Sequence, residues 1–432
     1  MSKHFKAGVG RRVITPPLGT ALYGYPNVRY AESVHDDLKV TAFAFEQGET
    51  KAILLTADIC TFGIEESAVL RRKISEETGV PFENITLSAI HTHSGPCTRE
   101  SVGWGARNDE YIENILNPQT VDACRDAVAS LRDALMGVGV TDSEVGINRR
   151  QLTVDGEIIL GQNPWGIFSK KMTVISFIGV DGVGIGAMVH YGAHCTACGA
   201  GTEITRDWAG GMCDTLEMEC GMPVAFFGGQ SGDTGPRISN GKTTGNIKYV
   251  EQLGALAGID ATRAYKSIKE YREPDLRAVT DKVTIPYAPL MPYEEAKAKL
   301  EAIGDTTNLV GRPKKAAGKY RDVMAIYENG EPIQQALEYD VTLFSLGEVT
   351  FSPFPFEVFS EIAIRIDAHA PFAHNLILNN TNGALAYFPT KSEMPLGGYE
   401  VFMFNHFSTY ILADGADTIV VKEYLRILEK LK

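Results

Sequence analysis

The chain has 432 residues, 44% hydrophobic and 22% charged, a globular composition at a length able to bury a large core, which excludes a disordered polymer. Its formal net charge of −13 argues against a nucleic-acid partner held through phosphates, since such binding draws on clustered Lys and Arg to displace counterions. No window carries the run of about 18 or more apolar residues that a membrane span needs.

In chain order, Met1 to Arg12 is basic but lacks the apolar stretch of a signal peptide, so the expected location is cytoplasmic. One pattern then recurs three times, at about Leu38 to Leu135, Lys171 to Tyr271 and Glu338 to Leu431. Each copy reads strand, turn, strand, helix, strand, polar loop, helix. The opening hairpins are Val40–Phe45 with Ala52–Leu55, Met172–Ile178 with Ile185–Val189, and Val341–Leu346 with Val349–Phe354. Gly79-Val80-Pro81, Gly221-Met222-Pro223 and Ala370-Pro371 each stop a helix ahead of another apolar strand, at Ile85–Ile90, Val224–Phe227 and Leu376–Leu378. Closing helices follow at Tyr111–Leu131, Ile247–Ile268 and Asp417–Leu431. The Ala- and Lys-rich stretch Met291–Asn329 falls outside the pattern and reads as a helical insertion. The basic cluster inside it, Lys314, Lys315, Lys319 and Arg321, reads as a solvated helix face. The expected architecture is α/β: mixed β-sheets flanked by helices, built from three strand-strand-helix-strand-helix units around one metal site, in a single domain over 1–432 with the insertion at about 290–330.

Seven cysteines, an odd count, read as reduced thiols, and Cys195 and Cys198 read as buried free cysteines despite their Cys-x-x-Cys spacing.

The chemistry gathers where the copies leave their strands. The second strands run out at Asp58, His194 and Glu357, and the polar loops carry His91 and His93, then Gln230 to Asp233, then Asn380 to Tyr387. In His91-Thr92-His93-Ser94-Gly95-Pro96, residues two apart on a strand exit share a face, so both imidazoles are expected at one site. A catalytic zinc takes about three His or Glu ligands and keeps a position open, a need that His91, His194 and Glu357 meet. Of His190 and His194, one is expected to reach the metal, while His4, His35, His374 and His406 read as ordinary polar residues. The Gly229-Gln230-Ser231-Gly232 loop lacks the Gly-x-Ser-x-Gly elbow of a serine hydrolase.

Several strings, in order, carry a family likeness: Ala7-Gly8-Val9-Gly10 with Ile14-Thr15-Pro16-Pro17, His35-Asp36-Asp37-Leu38, His91 to Pro96, Asn148-Arg149-Arg150, the His194 segment, Gly232-Asp233, and the regions of Glu357 and Tyr387. Together they resemble the neutral, non-lysosomal ceramidases. The resemblance implies a zinc ion held by His91, His194, Glu357 and Tyr387, with His93 facing substrate, Arg149 as a substrate-contacting cation and Tyr399 as a pocket hydroxyl. Two departures stand out. Gly235 occupies the place of the family's catalytic Ser in Gly232-Asp233-Thr234-Gly235-Pro236, and neither an export signal nor the carboxyl-terminal β-sandwich of the secreted enzymes is matched.

The expected function is therefore a zinc-dependent hydrolase, by resemblance an amidohydrolase, acting on a small polar amide rather than ceramide. His93 serves as general acid or base, Asp233 orients it or holds substrate, and Arg149 binds a carboxylate or hydroxyl-rich end. The alternatives are a metal-dependent lactonase, lyase or isomerase of a sugar-like metabolite, and a metal-containing binding protein without turnover. The expected partner is a small-molecule substrate, with homo-oligomerisation open.

Overall fold

The structure, a computed structural model, describes residues 4–99 and 105–432; Met1 to Lys3 of the amino-terminal segment lie outside them. All three units are present, and each holds one strand more than the sequence pattern displays. Unit one comprises β1 (Lys6–Val13), β2 (Lys39–Gln47), β3 (Thr50–Ala57) and β4 (Ile85–Ala89). Unit two comprises β5 (Arg132–Asp142), β6 (Lys171–Gly179), β7 (Gly184–Tyr191) and β8 (Val224–Gly228). Unit three comprises β9 (Leu276–Pro286), β10 (Ala336–Leu346), β11 (Val349–Pro353) and β12 (His374–Leu378).

Within every unit the first three strands run antiparallel and the fourth joins the third in parallel. The hairpins turn at Gly48, Gly182 and Gly347, with φ of 62°, 80° and 57°, a left-handed conformation that glycine adopts without a Cβ clash. The parallel step needs a crossover, which α1 (Ile64–Thr78), α3 (Asp207–Cys220) and α7 (Ser360–Asp367) provide. Closing helices α2 (Asn117–Ala129), α4 (Ile247–Lys266) and α9 (Ala416–Leu431) complete the units. Helix α2 is entered through a π-helical turn at Ile112–Leu116.

Units one and two join edge to edge through β1 and β5, at Lys6↔Asp133 and Ala7↔Arg132, giving one eight-stranded sheet in the order β8-β7-β6-β5-β1-β2-β3-β4. The period-two alternation of strands explains what lies on either face. Val40, Ala42 and Ala44 face α1 and α2, Val174, Ala187 and Val189 face α3 and α4, and Val341 and Leu343 face α7 and α9. The alternate positions, Phe43, Phe45, Ile175, Phe177, Phe344 and Leu346, meet in one aromatic-rich core shared by all three units. Each such Phe contributes about 1.5–3 kcal/mol on burial, so this shared core is what holds the units to one another.

The fourth strands bring their carboxyl ends together. Asn379 N donates to Gly228 O at 3.0 Å, Asn382 N donates to Leu87 O at 2.8 Å, and a Cβ at Gly228 would lie 3.7 Å from Ala89 O. The stretch between β9 and β10 forms α5 (Tyr293–Ile303) and α6 (Gly311–Asn329), and α8 (Tyr399–Asn405) precedes α9. Among the described residues no helix is long and apolar enough to cross a membrane.

Candidate metal centre

The loops at that convergence hold the clustered side chains. His91 sits two residues past β4 with φ of 66°, and Asn380 holds the corresponding place past β12 with φ of 53°. Such strained backbone persists where its surroundings over-determine it. His91 and His93 therefore do not share a strand face, as the sequence pattern suggests; a left-handed turn brings their rings to one site, with Nε2 atoms 3.3 Å apart. His194 lies past β7, and Glu357 opens a two-residue strand, Glu357–Val358, that pairs in parallel with Tyr387–Phe388, so that Glu357 and Tyr387 stand side by side.

His91, His194 and Glu357 are buried, each offering a ligand atom, and these atoms all lie within 4.8 Å of one another. Glu357 Oε2 is 2.9 Å from His194 Nε2 and 3.4 Å from His91 Nε2. The tautomers follow from the far nitrogens. His91 Nδ1 meets Cys60 O at 2.8 Å and His194 Nδ1 meets Ser231 O at 2.7 Å, and since a carbonyl only accepts, each Nδ1 carries the proton. Both Nε2 atoms are then lone pairs, aimed with a carboxylate oxygen at a common point. Glu357 Oε2 and His194 Nε2 are close yet lack hydrogen-bond geometry, and both are buried without a partner. Burial and the neighbouring Arg149 charge push the His194 imidazole down to about 4, keeping it neutral. Burial raises the Glu357 carboxyl, but the charge that His91 and His194 carry when protonated, with that of Arg149, outweighs it and holds the group down at about 2. Buried acceptors facing one another without a proton between them repel, and a cation resolves that repulsion. The backbone carbonyls behind the two imidazoles are the outer partners that metal-bound histidines have.

The other anticipated residues separate into two groups. His93 lies against the cluster, 5.0 Å edge-on from the Tyr25 ring, with Nδ1 unpartnered. Gly24 permits this approach, since a Cβ there would sit 2.4 Å from His93 Cγ. Burial and the His91 and His194 rings hold the His93 imidazole well below its ordinary pKa. Arg149 is buried, donates from Nε to Glu400 at 2.9 Å and lies 5.3 Å from the centre of the Tyr387 ring. Tyr387 stacks 6.3 Å from His194 and 5.5 Å from Tyr399. His93, Arg149, Tyr387 and Tyr399 all line one cleft of about 530 Å³.

Asp233 stands apart. Its Oδ1 accepts from Ser360 N and Oγ, both at 2.8 Å, so it caps the start of α7 and does not orient His93. Burial raises its carboxyl to about 6. Asp58, placed like His194 in the repeat, is also outside the cluster and accepts from Lys39 N at 2.8 Å. His190 bonds Ile377 O at 2.7 Å, tying unit two to unit three and leaving His194 as the member of that pair in the cluster. Cys195 and Cys198 are buried and free. The basic cluster on α6 is not a wholly solvated face: Lys315 lines the cleft, and Lys319 is buried and donates to Asn405 O. Tyr25, Arg99 and Arg312 also line the cleft unannounced by any motif, although the charge run that includes Lys315 lies beside Arg312.

No protein-family model and no curated protein matches the chain. Among solved structures it is similar to the neutral ceramidase of Pseudomonas aeruginosa, with a TM-score of 0.74 and 18% identity over 100% of this chain and 75% of that one. It is likewise similar to a ceramidase complexed with C2, with a TM-score of 0.72 and 17% identity over the same shares. At that identity the likeness is one of architecture, and in architecture this chain is neutral ceramidase-like.

Proposed function

We propose that this chain is a metal-dependent hydrolase, using zinc, that cleaves an amide in a compact polar molecule rather than in ceramide. The observation that carries the reading is the convergence of His91 Nε2, His194 Nε2 and Glu357 Oε2, buried acceptors whose protonated partners point away. They would hold the ion, with Tyr387 as the fourth ligand. A bound zinc supplies Lewis-acid polarisation of the scissile carbonyl and lowers the pKa of water toward about 7. His93, which lines the cleft beside the cluster, would take up and return the proton. Arg149, fixed by Glu400, and Tyr399 orient the substrate and offer donors to the developing oxyanion.

The amide and the hydrolytic step come from likeness in fold to the ceramidases, and the compact substrate from the cleft volume. A side chain at Gly235 would meet Thr243 Cγ2 at 3.1 Å and Arg149 Cβ at 3.5 Å, so Thr243 would crowd a Ser at this position. The test is elemental analysis of the purified wild type beside His91→Ala and Glu357→Ala chains, followed by an amide screen. About one zinc per wild-type chain, lost in both variants together with activity, is the expected result. A wild type without stoichiometric metal ends the zinc mechanism.

A further inference from the structure

We propose that the cleft takes its substrate by an anionic group, a carboxylate or phosphate, gripped at the rim by Arg99, Arg312 and Lys315 with Arg149 beneath. The inference deepens the hydrolase reading of this site by naming its substrate class. The chain as a whole carries −13, yet the cleft lining holds four permanent cations and, among the described residues, no Asp or Glu. Arg99, Arg312 and Lys315 have no carboxylate within 4.0 Å among those residues, whereas Arg107, Arg206 and Arg365 elsewhere are paired. Burial and then the Arg99 charge push the Lys315 ammonium down, so two like charges are held close without a counter-charge.

Geometry leaves the donors of these cations available. Arg312 is steadied by the rings of Tyr399 and Phe402, whose centres lie 5.3 and 5.4 Å from its guanidinium carbon. Arg99 uses Nη1 on Ala384 O at 2.6 Å. Arg149 is buried with Nη2 lacking any partner. Rim cations without a carboxylate partner, Lys315 among them partly buried, repel one another, and an oxyanion offering several acceptors offsets that repulsion. A cleft of one sign also draws opposite charge against the repulsion of the acidic chain.

The experiment is titration calorimetry of the purified protein, as isolated and after incubation with zinc, with inorganic phosphate, with glutarate and with neutral glutaramide. At least one anion should bind, more weakly as salt rises, while glutaramide does not; which anion binds tells phosphate from carboxylate substrates. The double variant Arg312→Ala/Lys315→Ala should weaken that anion by about tenfold or more, while Lys314→Ala, exposed on the same helix, leaves it unchanged. No binding of either anion, equal binding of glutaramide, or an affinity untouched by the double variant, as for an anion seated on the metal alone, overturns the proposal. Loss of the hydrolase reading through missing zinc or missing turnover leaves the rim measurement intact, so the two fail separately.

Discussion

The floor of the site and its rim are built by opposite means. The floor, with His91, His194 and Glu357, is assembled from one loop of each repeated unit and fixed to backbone carbonyls and a strand pair. The rim takes Arg312 and Lys315 from α6, outside the repeat, and Arg99 from a loop, and all three line the cleft. On the proposed reading, the difference would assign the chemistry to the scaffold and the choice of substrate to additions laid upon it. Damage to the floor should register as lost stability or metal; damage to the rim should register as lost binding with unfolding unchanged.

The hardest blow to that division is Glu400→Ala. Glu400 is fully buried and accepts from both Arg149 and Arg150, at 2.9 and 2.8 Å. Its removal leaves two buried guanidiniums short of a partner and should cost about 3–5 kcal/mol in denaturant unfolding. A loss below about 1 kcal/mol would mean that the floor is not rigidly held. Asp233→Ala comes next, at about 1–3 kcal/mol, because Ser360 loses its acceptor. Bound metal should survive this change; a variant that unfolds normally but has lost its metal would return Asp233 to the chemistry.

The smallest effect concerns the anchoring of the rim. Burial lowers Lys319 to about 8 from the ordinary 10.5. Between those values the unfolded chain binds more protons than the folded one, so this group adds stability as pH rises from about 8 and adds none below it. Thermal unfolding of wild type minus Lys319→Met should therefore climb across that window. A flat difference would show that the ammonium is solvated and α6 loosely docked.

What the sequence discloses follows the same division. The central strands of each unit are legible because dense apolar runs flank a glycine turn, and the ligands because they recur where those strands end. The opening strands escape notice: β5 mixes Arg132, Asp133, Gly137, Gly139 and Asp142 with its apolar residues, and β9 carries Arg277, Asp281 and Lys282, so neither shows a buried run. Position in the repeat is also an incomplete guide, since Asp58 holds the place of His194 yet bonds its own sheet. The rim is invisible because Arg99, Arg312 and Lys315 meet only in three dimensions, and a basic run on a helix looks the same whether it faces solvent or a cleft.

The carboxyl ends of β4, β8 and β12 converge, and each unit sends one candidate ligand there. No fragment holding one or two units carries the whole set, and no unit can drift without pulling a ligand out of place. On the proposed reading, an ion could be held only once all three units have come together. Metal content would then report on whether the three units are correctly joined.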